Sequence, residues 1–285
     1  MTPTKAAILV AAAALIAKTQ AQSFFEDFNT AGSYANNFNA YINATPPGTN
    51  PYSQSAASGV GGSGGIDIAA AATGITVDST SIYKNSTFNF ANSGSSLTVS
   101  AMMKIVPTTE NGNRLLQLGF VNDPTSGMNG NAGLAFTSMR FNPPATTGGV
   151  GSVPYTPQWQ TKTAAGTTVA TAGAPSPVNF TTGNWYLMSL TFVNNGGGSI
   201  GGSGFVQDFG TDGLTAGATT QLTPVSLSSA DIAADATVFA AFRGFKGDGL
   251  GNVDNFAATQ NVPEPSTIAL FGLSGALFLA RRRRS

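Results

Sequence analysis

The side chains able to do acid–base chemistry in this sequence are carboxylates, lysines and tyrosines, because cysteine and histidine are both absent. That absence removes disulfides, zinc sites built on thiolate or imidazole, and triads with a histidine base. Paired carboxylates are the next place to look. Glu26 and Asp27 are adjacent, so on a strand they point to opposite faces and make no catalytic pair by themselves. Sandwich glycosidases place two carboxyl groups across one sugar bond, and no run of the form E-x-D-x-x-E occurs here. The sequence names no catalytic residue, and the chain is read as non-enzymatic.

The same oxygens suit a hard cation better. Asp27 lies near the start of the chain's folded body, and Asp248 and Asp254 lie near its end, with the carbonyls of Gly249 to Asn252 between them. If the first and last strands pair, these groups converge, and a loop of carboxylates and carbonyls is what calcium takes as ligands. Gly247-Asp248-Gly249-Leu250-Gly251-Asn252 lacks the spacing of an EF-hand loop. The alternative is that Asp248 and Asn252 only shape a turn. Beyond that structural calcium, no cofactor is implied. Aromatic rings are the other chemical resource, since a flat ring stacks on a sugar face. Tyr155 and Trp159 fall in a Pro-, Gly- and Thr-rich stretch that reads as a loop, which makes them the carbohydrate-contact candidates; Trp185 falls on a strand and reads as packing.

The elements that must position these residues are strands. Leu97, Val99, Ala101, Met103 and Ile105 alternate with more polar residues, and so do Tyr186, Met188, Leu190 and Phe192. Phe24 and Phe28 share one face of a first strand; further strands are expected at 66–68, 75–77, 115–121, 134–141, 205–209, 237–245 and 253–258, with a short helix at 228–233. About ten strands, no long amphipathic helix and no repeat period indicate an all-β body with two one-sided sheets packed as a sandwich, the first and last strands paired as in a jelly roll. The glycine runs 61–65 and 196–204 precede no helix, so they are turns and not phosphate loops.

Both ends carry a different signature. Met1 to Ala21 has one early lysine, an apolar core from Ala6 to Ala17 and the small-residue site Thr19-Gln20-Ala21, the pattern of a secretory signal peptide. The other end, residues 261–285, has three parts: the stiff Val262-Pro263-Glu264-Pro265, an apolar run from Thr267 to Ala280, and Arg281, Arg282, Arg283 and Arg284. The run is short for a bilayer of about 30 Å, and arginines after it hold that end on the cytoplasmic side. This order of parts closely resembles the PEP-CTERM sorting signal. The resemblance implies an apolar helix that tethers the precursor to the inner membrane, processing by a protease-transpeptidase (an exosortase), and delivery to the cell surface or the extracellular space. An ordinary C-terminal anchor is the alternative, and it too puts the body outside the cytoplasm.

Setting the tags aside changes the charge balance. Of thirteen basic residues, Lys5, Lys18 and Arg281 to Arg284 are in the tags, and of thirteen acidic residues only Glu264 is, which leaves seven basic and twelve acidic residues in the body at 22–260. A body near −5 is an improbable partner for nucleic acid. The charged fraction is 9%, against about 25% in an ordinary soluble domain, so solubility rests on Ser, Thr, Asn, Gln and Gly. The Trp185-Tyr186 strand with its glycine-rich hairpin, and Val253-Asp254-Asn255-Phe256 near the end, resemble the concanavalin-like or laminin-G-like sandwich found on many proteins with this tag. With the sorting signal, that resemblance implies a surface or matrix protein associated with exopolysaccharide. A secreted polysaccharide-active enzyme and a purely structural surface protein are the other two readings.

Overall fold

The alternation over Ser96–Ile105 and Trp185–Gly196 builds two long antiparallel neighbours, with Leu97 opposite Phe192, Val99 opposite Leu190 and Ala101 opposite Met188. Apolar side chains on one face of each strand make these pairs, and the sheet grows outward from them. In the computed structural model, the described residues are 22–42, 50–68, 78–105, 116–125, 127–128, 135–142, 152–165, 168–171, 177–245 and 250–262. Gln22–Gln260 is one compact unit.

The strands in chain order are β1 (Ser23–Glu26), β2 (Phe38–Ile42), β3 (Tyr52–Ser55), β4 (Gly65–Ile68), β5 (Asp78–Tyr83), β6 (Ser96–Ile105), β7 (Gln117–Val121), β8 (Phe136–Asn142), β9 (Ser152–Lys162), β10 (Thr168–Thr171), β11 (Val178–Thr181), β12 (Trp185–Gly196), β13 (Ser199–Asp208), β14 (Thr219–Ser228), β15 (Phe239–Phe245) and β16 (Leu250–Asn261). Two short α-helices, α1 (Ser33–Asn37) and α2 (Ala230–Ala233), the second capped by the Ser229 hydroxyl, and one 3-10 turn at Val60–Gly62 complete the described elements. Sheet A runs β14-β13-β12-β6-β16-β4-β3, with β1 also on β16; sheet B runs β10-β9-β8-β7-β15-β5-β2, with β11 also on β9. Both are antiparallel, and they form the all-β jelly-roll sandwich that the alternation anticipates.

The first and last strands do pair, Phe24 opposite Ala258 and Glu26 opposite Phe256. The core between the sheets is aromatic: Phe38, Phe242 and Phe256 meet with ring centroids 5.3 to 5.8 Å apart, and Phe120 and Trp159 both set an edge against Phe192. A smaller apolar cluster of Ile82, Val121, Met128, Phe136, Phe239 and Ala241 is separate from that core.

Several expectations change. The stretch holding Tyr155 and Trp159 is not a loop but the eleven-residue strand β9. Its prolines hid it, since proline donates nothing to a ladder. The structure shows how Pro157 is accommodated: β11 pairs with Ser152 to Tyr155 and β10 with Trp159 to Lys162, so Pro157 falls in the gap between two partner strands on that edge. The glycine-rich turn is shorter than expected. Only Gly196, Gly197 and Gly198 form it, all at positive φ, while Gly201, Gly202 and Gly204 belong to β13. Strands β2, β3, β5, β10, β11 and β14 were not anticipated. The expected strand at 75–77, Asp248, and the sorting-signal residues Pro263 to Ser285 lie outside the described residues. Among the described residues no helix is long and apolar enough to cross a membrane.

Candidate functional site

Three places on the sandwich bring polar groups together. The first is where β1 and β16 stop pairing. Just past the Glu26–Phe256 pair, both chains turn through a left-handed residue, Phe28 at φ 53° and Asn255 at φ 50°. For a bulky residue such as Phe this backbone is costly and persists only where its surroundings impose it. Asp254 sits here, fully buried. One carboxylate oxygen accepts from the Asn255 N–H at 2.6 Å; the other accepts from the Val60 N–H at 2.9 Å and the Ser63 hydroxyl at 3.2 Å. Burial pushes the Asp254 carboxyl above its ordinary value, its three donors oppose that, and the charge on Asp27 adds to the rise. Asp27 and Asp254 are therefore brought together, as the strand pairing requires. Asp27 itself is held below its ordinary value by bonds from Asn29. Glu26 accepts from the Phe28 N–H and the Asn37 amide.

Asp248, the third candidate ligand, lies outside the described residues, so the site is seen only at Asp27 and Asp254. The oxygens of Asp254 face N–H and O–H hydrogens, which calcium would have to displace. Among the described residues no group of three or more acidic side chains is placed to hold a metal. The arrangement is a carboxylate clamp that fastens the 58–64 loop to the last strand.

The second place is a hollow of about 570 Å³ on the outer side of sheet A, lined by Gly59, Gly61, Lys104, Trp185, Asp212 and Asn252 among others. Trp185 forms its wall, only 2% exposed. The Lys104 amine lies 5.7 Å from the centre of the indole, a cation–π distance. A side chain on Gly213 would come within 3.0 Å of that ring, so the backbone of the neighbouring loop packs directly on it. Covered this way, the ring supports the hollow and offers no stacking face.

The third place is the outer face of sheet B. Leu118, Phe120, Met139 and Trp159 point into the core, so the residues between them point outward. The register lays Arg243, Gln117, Arg140 and Gln158 across the sheet in one row, and Gly119, Ser138 and Gln160 in the next. They form a hydrogen-bonded ladder. The Gln117 amide donates to Ser138 Oγ at 2.6 Å and to Gln160 Oε1 at 3.4 Å. Arg140 Nε and the Asn142 amide donate to Gln158 Oε1 at 2.8 and 2.9 Å. Arg243 donates to Gln117 Oε1 at 3.3 Å and to the Met128 carbonyl. Residues 122–125 and 127–128 lie against the far side of this face, where the Thr80 hydroxyl receives the Met128 N–H and Asn39 donates to the Pro124 carbonyl. Gln117, Ser138, Gln160 and Arg243 are buried; Arg140, Asn142 and Gln158 are half-buried along one side. At the end of β9, Lys162 shares this face.

The two aromatic carbohydrate-contact candidates are placed elsewhere. Trp159 is 1% exposed and packs edge-on against Phe192, and Tyr155 is 3% exposed and packs against Phe180. Their stretch is a strand, so alternation sends both rings inward; core packing takes up their faces. The ladder residues were missed, although a signal for them exists. Ser138-x-Arg140 and Gln158-x-Gln160-x-Lys162 set long polar side chains at period two, opposite apolar residues that belong to a core.

Comparison with known proteins bears on the tail and the fold separately. Residues 261–284 match the PEP-CTERM protein-sorting motif. That motif marks the chain for export and sorting by an exosortase-type system. No curated protein matches the chain in sequence. Among solved structures, the sandwich is similar to peanut lectin bound to a nine-residue peptide, at 12% identity over 85% of this chain and 98% of the lectin, with a TM-score of 0.51. Lectin II from Ulex europaeus, at 12% identity, covers 85% of this chain and 99% of its own with a TM-score of 0.46. An endo-1,3-β-glucanase from Streptomyces sioyaensis, also at 12%, covers 85% and 97% with a TM-score of 0.42. The body has the legume-lectin or concanavalin-like fold; identities this low show the fold alone.

Proposed function

We propose that this is a non-enzymatic component of the cell surface or extracellular matrix, tethered to the inner membrane as a precursor, released by an exosortase, and associated with exopolysaccharide through the outer face of sheet B. The observation that supports the binding surface is the ladder from Arg243 to Gln158. Burying amides and guanidinium groups is costly unless each is hydrogen-bonded, and here they are held in fixed geometry, with Arg140, Asn142 and Gln158 half-buried along the edge that a ligand can reach. Amide and guanidinium groups fixed along a sheet can exchange hydrogen bonds with successive sugar hydroxyls. Stacking on Tyr155 and Trp159 forms no part of this reading. Calcium is not part of it either, given the donors around Asp254.

The test is affinity electrophoresis of the purified full chain through gels containing soluble polysaccharide. Arg140 and Gln158 are half-buried, so Arg140→Ala with Gln158→Ala should abolish retardation with little change in melting temperature; two lost hydrogen-bonding groups are worth about 2 to 4 kcal/mol of binding. Retardation equal to wild type in the double variant would remove the face from the account. The enzymatic reading is favoured instead if wild-type protein shortens the polymer during the run.

A further inference from the structure

The hollow beside Trp185 is used by neither the ladder nor the carboxylate clamp. Lys104 reaches it from β6, Trp185 from the start of β12 and Asn252 from β16, and the 57–62 turn and the 211–214 loop complete its lining. These two segments are fastened to each other. The Gly61 N–H donates to the Asp212 carbonyl at 2.9 Å, and a Cβ on Gly61 would stand 3.2 Å from a Leu214 methyl. Gly61 makes this approach at φ 63°, where glycine has no steric cost. The volume of about 570 Å³ is within the range of about 300 to 1,000 Å³ found for small-molecule sites.

The lining is unevenly satisfied. Lys104 is half-buried on the wall of an open hollow. Its ammonium has three N–H donors, and among the described residues it meets the Trp185 ring but makes no ion pair or hydrogen bond. Two acceptors stand nearby. Asp212 receives the Leu214 N–H on Oδ1 at 2.9 Å, which leaves Oδ2, and Asn252 donates its amide to Asp67, which leaves its carbonyl oxygen. Leu214 is 66% exposed and offers an apolar contact at the same opening.

We propose that this hollow binds a sugar acid, with its carboxylate on Lys104, its hydroxyls donating to Asp212 and Asn252, and its C–H groups against Leu214. The site stands on the other sheet from the ladder, and the proposal holds whether or not the ladder binds polysaccharide. A carboxylate gives the ammonium the counter-charge it lacks, and charge-assisted hydrogen bonds are stronger than those to neutral hydroxyls. An anion without hydroxyls would leave Asp212 and Asn252 unused and place its charge beside the Asp212 carboxylate.

The experiment is isothermal titration of the purified full chain with galacturonate and with galactose, which differ only in carrying a carboxylate or a hydroxymethyl group. Wild type should bind galacturonate about tenfold more tightly. Lys104→Met keeps the alkyl stem and should abolish that preference while leaving galactose affinity unchanged; Lys104→Arg should restore part of it. No preference in wild type, or a preference unchanged in Lys104→Met, overturns the assignment. Should Lys104→Met not fold, the exposed Leu214 decides: the ratio of galacturonate to galactose affinity should rise about threefold in Leu214→Lys and fall about threefold in Leu214→Glu, and equal ratios overturn the assignment. The Arg140→Ala, Gln158→Ala double variant should bind galacturonate as wild type does; loss there moves the acid to sheet B, overturning the hollow and leaving the ladder reading intact. Electrophoresis through polygalacturonate separates the two sources of the acid. Stronger retardation of wild type than of Lys104→Met assigns a unit of a polymer, and equal retardation alongside the monomer effect assigns the free acid.

Discussion

Asp254 shows what a single side chain contributes. Its carboxylate joins the last strand to the 58–64 loop through three donors, at the cost of burying a charge. An asparagine has one acceptor oxygen and would turn its NH2 toward a donor, so Asp254→Asn should destabilise the protein by about 1 to 3 kcal/mol at pH 7. The pH dependence has a definite sign. The folded-state carboxyl lies above its ordinary value of 3.8, so the folded state takes up a proton before the unfolded state does. The unfavourable charge is fully present above the folded value and is relieved as pH falls toward 3.8. The stability gap between wild type and Asp254→Asn should therefore widen between pH 7 and about pH 4, read by urea unfolding at each pH. A gap that narrows on acidification would contradict this. Asp27, shifted down instead, loses its contribution only below 3.8, outside that window.

At the level of elements, alternation is a dependable guide where one face is apolar and the other polar. Strands β6, β12, β15 and β16 were legible for that reason, and so was the pairing of the chain's ends. The signal fails where polar residues face inward or where both faces are apolar. Strand β5 reads Asp-Ser-Thr-Ser-Ile-Tyr; its inward Ser81 is paired with the Tyr34 hydroxyl, and the Tyr52 hydroxyl donates to the Ser79 carbonyl, long-range partners that no local pattern announces. Strand β9 was hidden by prolines and the first half of β13 by glycines. Gly202 has a packing reason: a Cβ there would stand 3.0 Å from the Trp159 ring and 3.1 Å from a Val225 methyl. Glycine on β13 thus makes room for a tryptophan on the opposing sheet. Gly202→Ala should cost about 1 to 3 kcal/mol through this overpacking, measurable by chemical denaturation; stability equal to wild type would show that β13 can shift to admit a methyl group. The candidate site was less legible than the fold. Carboxylates and aromatic rings drew attention because they are chemically distinctive, yet Trp159 and Tyr155 serve the core and Asp254 serves the scaffold. The ladder is built from glutamine, serine and arginine, which carry meaning only once the register lines them up across β15, β7, β8 and β9.

The whole molecule divides its information between an address and a body. The address is specific: Val262, Pro263, Glu264 and Pro265 followed by the apolar run and four arginines match a sorting motif over residues 261–284. The body is a lectin-like sandwich with neither cysteine nor histidine, stabilised by an aromatic core and by clamps such as Asn194, whose buried amide donates to the carbonyls of Phe90 and Ala233. A fold by itself leaves function to its surfaces, and every reading of those surfaces presumes that the body leaves the cytoplasm and is freed from its tail. The most direct test is the intact mass of the protein recovered from outside the cell. The account predicts a mass that lacks Met1 to Ala21 and everything beyond the Pro263-Glu264-Pro265 region. Protein retained in the inner membrane with Arg281 to Arg284 still attached would contradict it, and would make the tail a plain anchor.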